Sequence, residues 1–219
     1  MHPECVEEKA RILMSRLGPT LGMHGGVLAG GTGLALHIGH RTGADLEFFS
    51  RKLFKTSEVL EELRALAGIV EPIAMEERAI TVQADGARLS LVQTPEHFGE
   101  STTRVNGCDV AGVLDIAAMK LVAVGKGGLR ADFVDLYAVL QTIPFRKVVC
   151  SALEQYGMTV IEPLVIGKGL VWFGDADDQA DPVYVATPVA WNHVKDFFRS
   201  SLRQLVFDLD AERRTLDQG

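Results

Sequence analysis

The sequence predicts an α+β fold, on three observations. Strand and helix patterns are mixed up to about residue 98, and the pattern beyond is mostly helical. A short apolar strand, Val27-Leu28-Ala29, runs straight into Gly30-Gly31-Thr32 and a helix. The stretch Asp45 to Phe49 then alternates acidic and apolar side chains, as a half-buried strand does. The expected organisation is an α/β core over residues 1–98, with a mainly helical region over 99–219 packed on it.

The elements follow in order. Val6, Ala10, Leu13, Met14 and Leu17 form the apolar stripe of a helix from Glu4 to Leu17, which Gly18-Pro19 is expected to end. A second short helix carries Leu34, Ala35, Leu36 and Ile38. Gly39 to Gly43 reads as a polar turn before the strand at Asp45. Thr56 to Leu66 is helical, with Thr56 or Ser57 as candidate cap. Ile69 to Met75 is a strand. Ala79–Gln83 and Arg88–Val92 flank Asp85-Gly86, a hairpin signal because that pair tolerates the positive φ of a tight turn. Helices are expected at Asp115–Val124, Arg130–Gln141 and Pro144–Tyr156, with a fourth at Ile161–Phe173 that Gly167 and Gly169 weaken. The acidic, breaker-rich run from Gly174 to Pro182 reads as a solvated loop. It lacks the glycine and terminal glutamate of a calcium loop. Thr187 to Arg214 is a long helix whose apolar face includes Trp191, Val194, Phe197, Phe198 and Leu205.

Composition narrows the classes. A net charge of −7 argues against a broad basic surface for nucleic acid, while leaving room for a local basic groove. Cys5, Cys108 and Cys150 are scattered and form no CxxC pair, so neither a disulfide framework nor a zinc site is expected. The first residues lack the basic end and long apolar run of a signal peptide, and no uncharged apolar stretch is long enough to span a bilayer. A cytoplasmic protein with no membrane association is the expectation.

The chemistry centres on residues 30–49. Glycines after a strand let backbone N–H groups approach a phosphate, and a helix start favours negative charge. Such a turn also serves plain packing. Asp45 and Glu47 lie two apart on a strand, so both carboxylates point one way while Leu46 and Phe48 point into a core. Side by side they repel. Bound Mg²⁺, which takes carboxylate oxygens together with substrate phosphates, would relieve the repulsion. The competing reading is a solvent-facing polar edge. His37 and His40 read as packing and turn residues. Arg41 reads either as a phosphate contact or as an ion-pair partner of Asp45. Asp115 reads as a helix cap.

The stretch GGTGLALHIGHRTGADLEFFS resembles the first motif of the AbiEii/AbiGii toxin-type nucleotidyltransferases, within the DNA polymerase β-like superfamily. Asp115-Ile-Ala-Ala-Met-Lys120-Leu is similar to the lysine motif of that family, and Arg130-Ala-Asp132-Phe-Val-Asp135-Leu-Tyr137 to its Asp-x-x-Asp-Leu motif. The likeness covers about residues 25 to 140. It implies a polymerase β-like core with a small mixed sheet flanked by helices. Gly30, Gly31, Thr32, Arg41, Lys120 and Arg130 would bind a nucleotide. Asp45 and Glu47 would hold Mg²⁺, with Mn²⁺ as alternative. Asp45, Glu47, Lys120, Asp132 and Asp135 would carry catalysis. The implied reaction moves a nucleotidyl group from a nucleoside triphosphate to a tRNA or protein acceptor, and a cognate antitoxin is an implied partner.

The sequence departs from the pattern at three places. Glu47 stands where the family has Asp. Ser90 is nearest the place of the third carboxylate of the superfamily. Ala131 replaces the second of two basic residues before Asp132. Two rival readings follow: a catalytically degenerate nucleotide-binding protein of the same fold, and a module that binds a partner through its acidic surface or helical tail.

Overall fold

A computed structural model of the chain describes residues 1–96, 98–185 and 187–217. The chain divides into two compact units, Met1–Gly112 and Val113–Gly219.

The first unit opens with a 3₁₀ turn, Pro3–Cys5, and helix α1, Glu8–Met23. This helix runs through Gly18-Pro19, where the sequence suggested an end. An internal proline costs about 3 kcal/mol, and each fully buried leucine contributes about 1.5–3. Leu13, Met14, Leu17 and Leu21 are all fully buried, so packing outweighs the break. Gly18 is needed there because a β-carbon would collide with the Cys108 sulfur. Strand β1, Val27–Leu28, leads into α2, Gly30–Ile38, so the expected glycine turn is itself the first turn of the helix.

Strand β2, Leu46–Ser50, begins one residue later than expected, and α3 spans Thr56–Leu66. Lys55 holds the N-cap position of α3 without a side-chain bond, so neither Thr56 nor Ser57 is the cap. Strands β3, Val70–Met75, β4, Ala79–Ala84, and β5, Ala87–Gln93, form a meander. Asp85 and Gly86 close its tight turn with φ of 44° and 86°, as the Asp-Gly signal requires. A hairpin that the sequence reading missed follows: β6, Thr103–Val105, and β7, Cys108–Val110. Asn106 and Gly107 turn it at φ 45° and 83°.

Among the described residues these strands form one seven-stranded mixed sheet, in the order β3-β4-β5-β2-β1-β7-β6. Strand β2 runs parallel to β5 and antiparallel to β1, while β1 runs parallel to β7. Leu46, Phe48, Ile80, Val82, Leu89 and Leu91 join α1 and α3 residues, including Leu17, Val59 and Leu63, in one core. Because side chains alternate across a strand, the opposite face carries Glu47 and Ser90. The β6–β7 hairpin belongs to this unit through β7, so the compact unit runs to Gly112.

The second unit is helical. It comprises α4, Val113–Gly125; α5, Arg130–Leu140; α6, Phe145–Tyr156; α7, Pro163–Gly169; α8, Gly174–Asp177; and α9, Trp191–Asp217. Phe133 packs against Phe173, Trp191 and Phe198 at ring separations of 5.1, 5.8 and 5.7 Å. The segment expected as a solvated loop instead forms the short α8 and a polar anchor. Asp177 accepts from Trp191 Nε1 at 2.6 Å and from Lys195 Nζ at 2.8 Å. Among the described residues no helix is long and apolar enough to cross a membrane.

Candidate functional site

The first unit builds its site where β1, α2 and β2 meet. Ala29 is the N-cap of α2, and no side chain caps this end. Its backbone is tied to β2, with the Ala29 N–H donating to the Glu47 carbonyl at 2.9 Å. The Gly33 N–H bonds the Ala29 carbonyl at 3.0 Å. The N–H groups of Gly30, Gly31 and Thr32 precede it at the open end of the helix, where the partial positive charge is concentrated. These are the donors that bind anions at helix starts.

The glycines have a steric reason to be glycines. Gly30 sits at φ +60°, and a β-carbon there would collide with Glu47 Oε2. A β-carbon on Gly31 would collide with the Arg41 guanidinium. The helix start is therefore lined by the Glu47 carboxylate on one residue and by Arg41 on the next. Arg41 Nη1 also donates to the Thr42 carbonyl at 3.0 Å.

Thr32 does something the sequence did not suggest. It is 3% exposed, and its hydroxyl donates to the backbone carbonyl of Asp45 at 2.5 Å. Gly43 lets the loop pass closely enough for this bond, since a β-carbon there would lie 2.6 Å from Thr32 Oγ1. Thr32 thus rivets the loop that carries Asp45. Its backbone N–H, rather than its hydroxyl, faces the role expected of it.

Asp45 is exposed and Glu47 half-buried, while Leu46 and Phe48 are fully buried between and beyond them. Among the described residues neither carboxylate makes a hydrogen bond or ion pair. Across the parallel β2–β5 pairing, Glu47 stands opposite Ser90. Two carboxylates, one just before β2 and one on it, offer the oxygen donors that a hard divalent cation takes, and the hydroxyl of Ser90 opposite Glu47 adds no charge. His37 Nε2 is tied to the Ala111 carbonyl at 2.7 Å, in keeping with a packing role.

The second unit holds the lysine and acidic motifs. Lys120 of α4 extends its ammonium to Asp132 Oδ1 at 2.7 Å and Asp135 Oδ2 at 3.0 Å, both on α5. The three-residue spacing sets these carboxylates one helical turn apart on one face. The lysine side chain is 10% exposed and that of Asp135 fully buried, so Lys120 is not a snorkelling surface lysine. Asp132 has two tasks. Its other oxygen accepts the Leu129 N–H at 3.0 Å, closing the first turn of α5.

Arg130, expected at the nucleotide, turns to its own unit. Its guanidinium donates to the carbonyls of Ala176 and Asp177 at 3.0 and 2.8 Å and to Asp181 at 2.9 Å. It also stacks 5.1 Å from the Trp191 ring. Asp115 is fully buried and accepts from Gln155 Nε2 at 2.8 Å.

A seven-stranded mixed sheet whose strand β1 runs through glycines into a helix, flanked by further helices, matches a nucleotidyltransferase fold. Solved structures share it over nearly the whole chain. MenT4, a nucleotidyltransferase toxin from Mycobacterium tuberculosis, superposes with a TM-score of 0.58 at 17% identity, over 95% of this chain and 90% of its own. A Helicobacter pylori protein assigned as a nucleotidyltransferase gives 0.55 at 15% identity, over 97% of each chain. In sequence, the uncharacterized protein aq_aa25 of Aquifex aeolicus is 28% identical over 181 residues, which is 81% of this chain and 86% of that protein. No family model matches the chain.

Proposed function

We propose that the protein is a nucleotidyltransferase that joins a nucleoside monophosphate to an RNA or protein acceptor. The observation that carries this is the unpaired pair Asp45 and Glu47 beside the uncapped start of α2, on a fold shared with nucleotidyltransferases. The N–H groups of Gly30, Gly31 and Thr32 receive the triphosphate, and Arg41 adds positive charge at Gly31. Asp45 and Glu47 are the ligands for Mg²⁺ or Mn²⁺, and their oxygen donors fit such an ion. When bound, the metal clamps phosphate oxygens and offsets the charge that builds as pyrophosphate leaves. The acceptor oxygen attacks the α-phosphorus, and the protein mainly positions the partners. Lys120, Asp132 and Asp135 carry the lysine and acidic motifs of the toxin-type family. That likeness is the ground for a tRNA or protein acceptor and for regulation by an antitoxin, and one structural neighbour is itself a nucleotidyltransferase toxin.

The test is label transfer from radioactive triphosphates to total RNA or cell extract, with Mg²⁺ or Mn²⁺. Asp45→Ala is expected to lower transfer by roughly 10²-fold or more while leaving the melting temperature within a degree or two. Lys120→Ala forms a separate arm. Undiminished transfer in Asp45→Ala would sink the proposal.

A second reading has its own observation. Glu47 is longer than the usual aspartate, and its register partner is Ser90 rather than a carboxylate. A degenerate descendant would bind triphosphate in calorimetry yet transfer nothing. Absence of binding heat with every triphosphate would exclude both nucleotide readings and leave a partner-binding module.

A further inference from the structure

At the start of the chain, His2, Glu4 and Cys5 bring an imidazole nitrogen, a carboxylate oxygen and a thiol sulfur within 4.8 Å of one another. The backbone fixes this meeting. The 3₁₀ turn folds the chain back, with the Cys5 N–H bonded to the His2 carbonyl at 3.0 Å. The His2 N–H donates to Leu36 O at 2.6 Å, at the end of α2. The Gly43 N–H donates to Cys5 O at 2.8 Å, in the loop before β2. Gly39, at φ +66°, lies against the imidazole, where a β-carbon would come within 2.9 Å of His2 Cγ.

The thiol supplies a second observation. Cys5 is 1% exposed, and among the described residues its sulfur has no hydrogen-bond partner. The other two cysteines do: Cys108 donates to the Met14 carbonyl at 3.5 Å and Cys150 to Glu212 at 3.3 Å. A buried thiol without an acceptor, set beside an imidazole nitrogen and a carboxylate oxygen, has the surroundings of a metal ligand.

We propose that His2, Glu4 and Cys5 bind a borderline-soft divalent cation, Zn²⁺ foremost, with a fourth position left to water. Sulfur, nitrogen and oxygen donors in one set select Zn²⁺ and its transition-metal neighbours over Mg²⁺, which demands octahedral oxygen. A tetrahedral ion with bonds of about 2.0–2.3 Å holds its donors roughly 3.3–3.8 Å apart. His2 Nδ1 and Glu4 Oε1 are hydrogen-bonded to each other at 3.0 Å, a contact the ion would replace, and both side chains are exposed enough to rotate. Cysteine-pair spacing does not flag this site, because two of its three ligands are not cysteines. The ion ties the chain start to the end of α2 and to the loop that leads to Asp45, and the site stands independently of nucleotidyl transfer.

Cobalt titration of the full chain tests this. One Co²⁺ per chain is expected, with a thiolate-to-cobalt charge-transfer band and the intense visible bands of a four-coordinate ion. Zn²⁺ displaces it and raises the melting temperature in a concentration-dependent way. Cys5→Ser abolishes the charge-transfer band. His2→Ala and Glu4→Gln, both at accessible side chains, each weaken Co²⁺ binding by about tenfold or more, since loss of a mere outer-shell partner costs about 10–100-fold. Asp45→Ala leaves the band intact, which separates this site from the proposed nucleotide metal. Absence of the band, its survival in Cys5→Ser, or unchanged affinity in both His2→Ala and Glu4→Gln overturns the proposal.

Discussion

At Lys120 two carboxylates share one ammonium inside the second unit, and the cluster is worth more intact than in pieces. Removing the cation alone takes the ammonium at 3.0 Å away from the fully buried Asp135. Breaking one side of a buried pair costs about 3–5 kcal/mol, and Lys120→Met is expected to lose that much in urea unfolding. The double variant Lys120→Met/Asp135→Leu should lose clearly less than the sum of its singles, because the fully buried carboxylate is then gone together with its cation, and the Asp132 that remains is partly exposed and keeps the Leu129 N–H. Additive losses would mean that the three side chains do not act as a unit. Gly30 makes the complementary case in the first unit. Alanine there must hold φ +60° and push against Glu47. Gly30→Ala is expected to cost roughly 1–3 kcal/mol in denaturant unfolding, and to weaken triphosphate binding in calorimetry beyond what the stability loss explains. Binding equal to wild type would separate this glycine from the site.

Helix α1 shows how an element overrides its own sequence signals. Pro19 lies inside it, and the pyrrolidine removes one ladder bond. Pro19→Ala should restore that bond and stabilise the chain by about 1–3 kcal/mol, the upper figure being reduced because the ring packs close to Gly107. Thermal unfolding decides it, and a lower melting temperature would show that the ring contact matters more than the ladder. The same helix marks the limit of reading by pattern. Gly-Pro is a local breaker, while the burial of Leu17 and Leu21 depends on a sheet assembled from distant residues. Strand β2 was legible because the alternation read over Asp45 to Phe49 is local, and the β4–β5 turn because Asp85-Gly86 carries its own conformational requirement. Asn106-Gly107 carries the same requirement, but the flanking strands are three residues each, too short for alternation to register. At the site, the half-buried place of Glu47 between the buried Leu46 and Phe48 followed from period two. The bond from Thr32 to Asp45 did not, since it joins residues thirteen apart through a loop that only Gly43 lets approach. The partners of Arg130 were illegible for a similar reason. A basic residue at a helix start suits a phosphate, and its carbonyl and carboxylate partners at 176–181 lie some fifty residues away.

For the molecule as a whole, the division at Gly112 makes a prediction about pieces. A fragment of residues 1–112 keeps β7 beside β1, whereas one of residues 1–98 loses that neighbour and the fully buried Val110 with it. The shorter fragment is expected to unfold over a broader denaturant range, with faster amide exchange at Val27 and Leu28. Equal cooperativity in both fragments would show that the β6–β7 hairpin is dispensable. The position of β1 has a temporal meaning as well. This two-residue strand is flanked by β2, which follows it closely in the chain, and by β7, which comes some eighty residues later. A ribosome adding about 5–20 residues per second takes several seconds or more to deliver that second flank. Until then the segment leading into the start of α2 is held from one side only. The nascent chain therefore completes its β3–β5 meander first and the second flank of β1 only afterwards, so the approach to α2 is among the last parts of the first unit to be fixed.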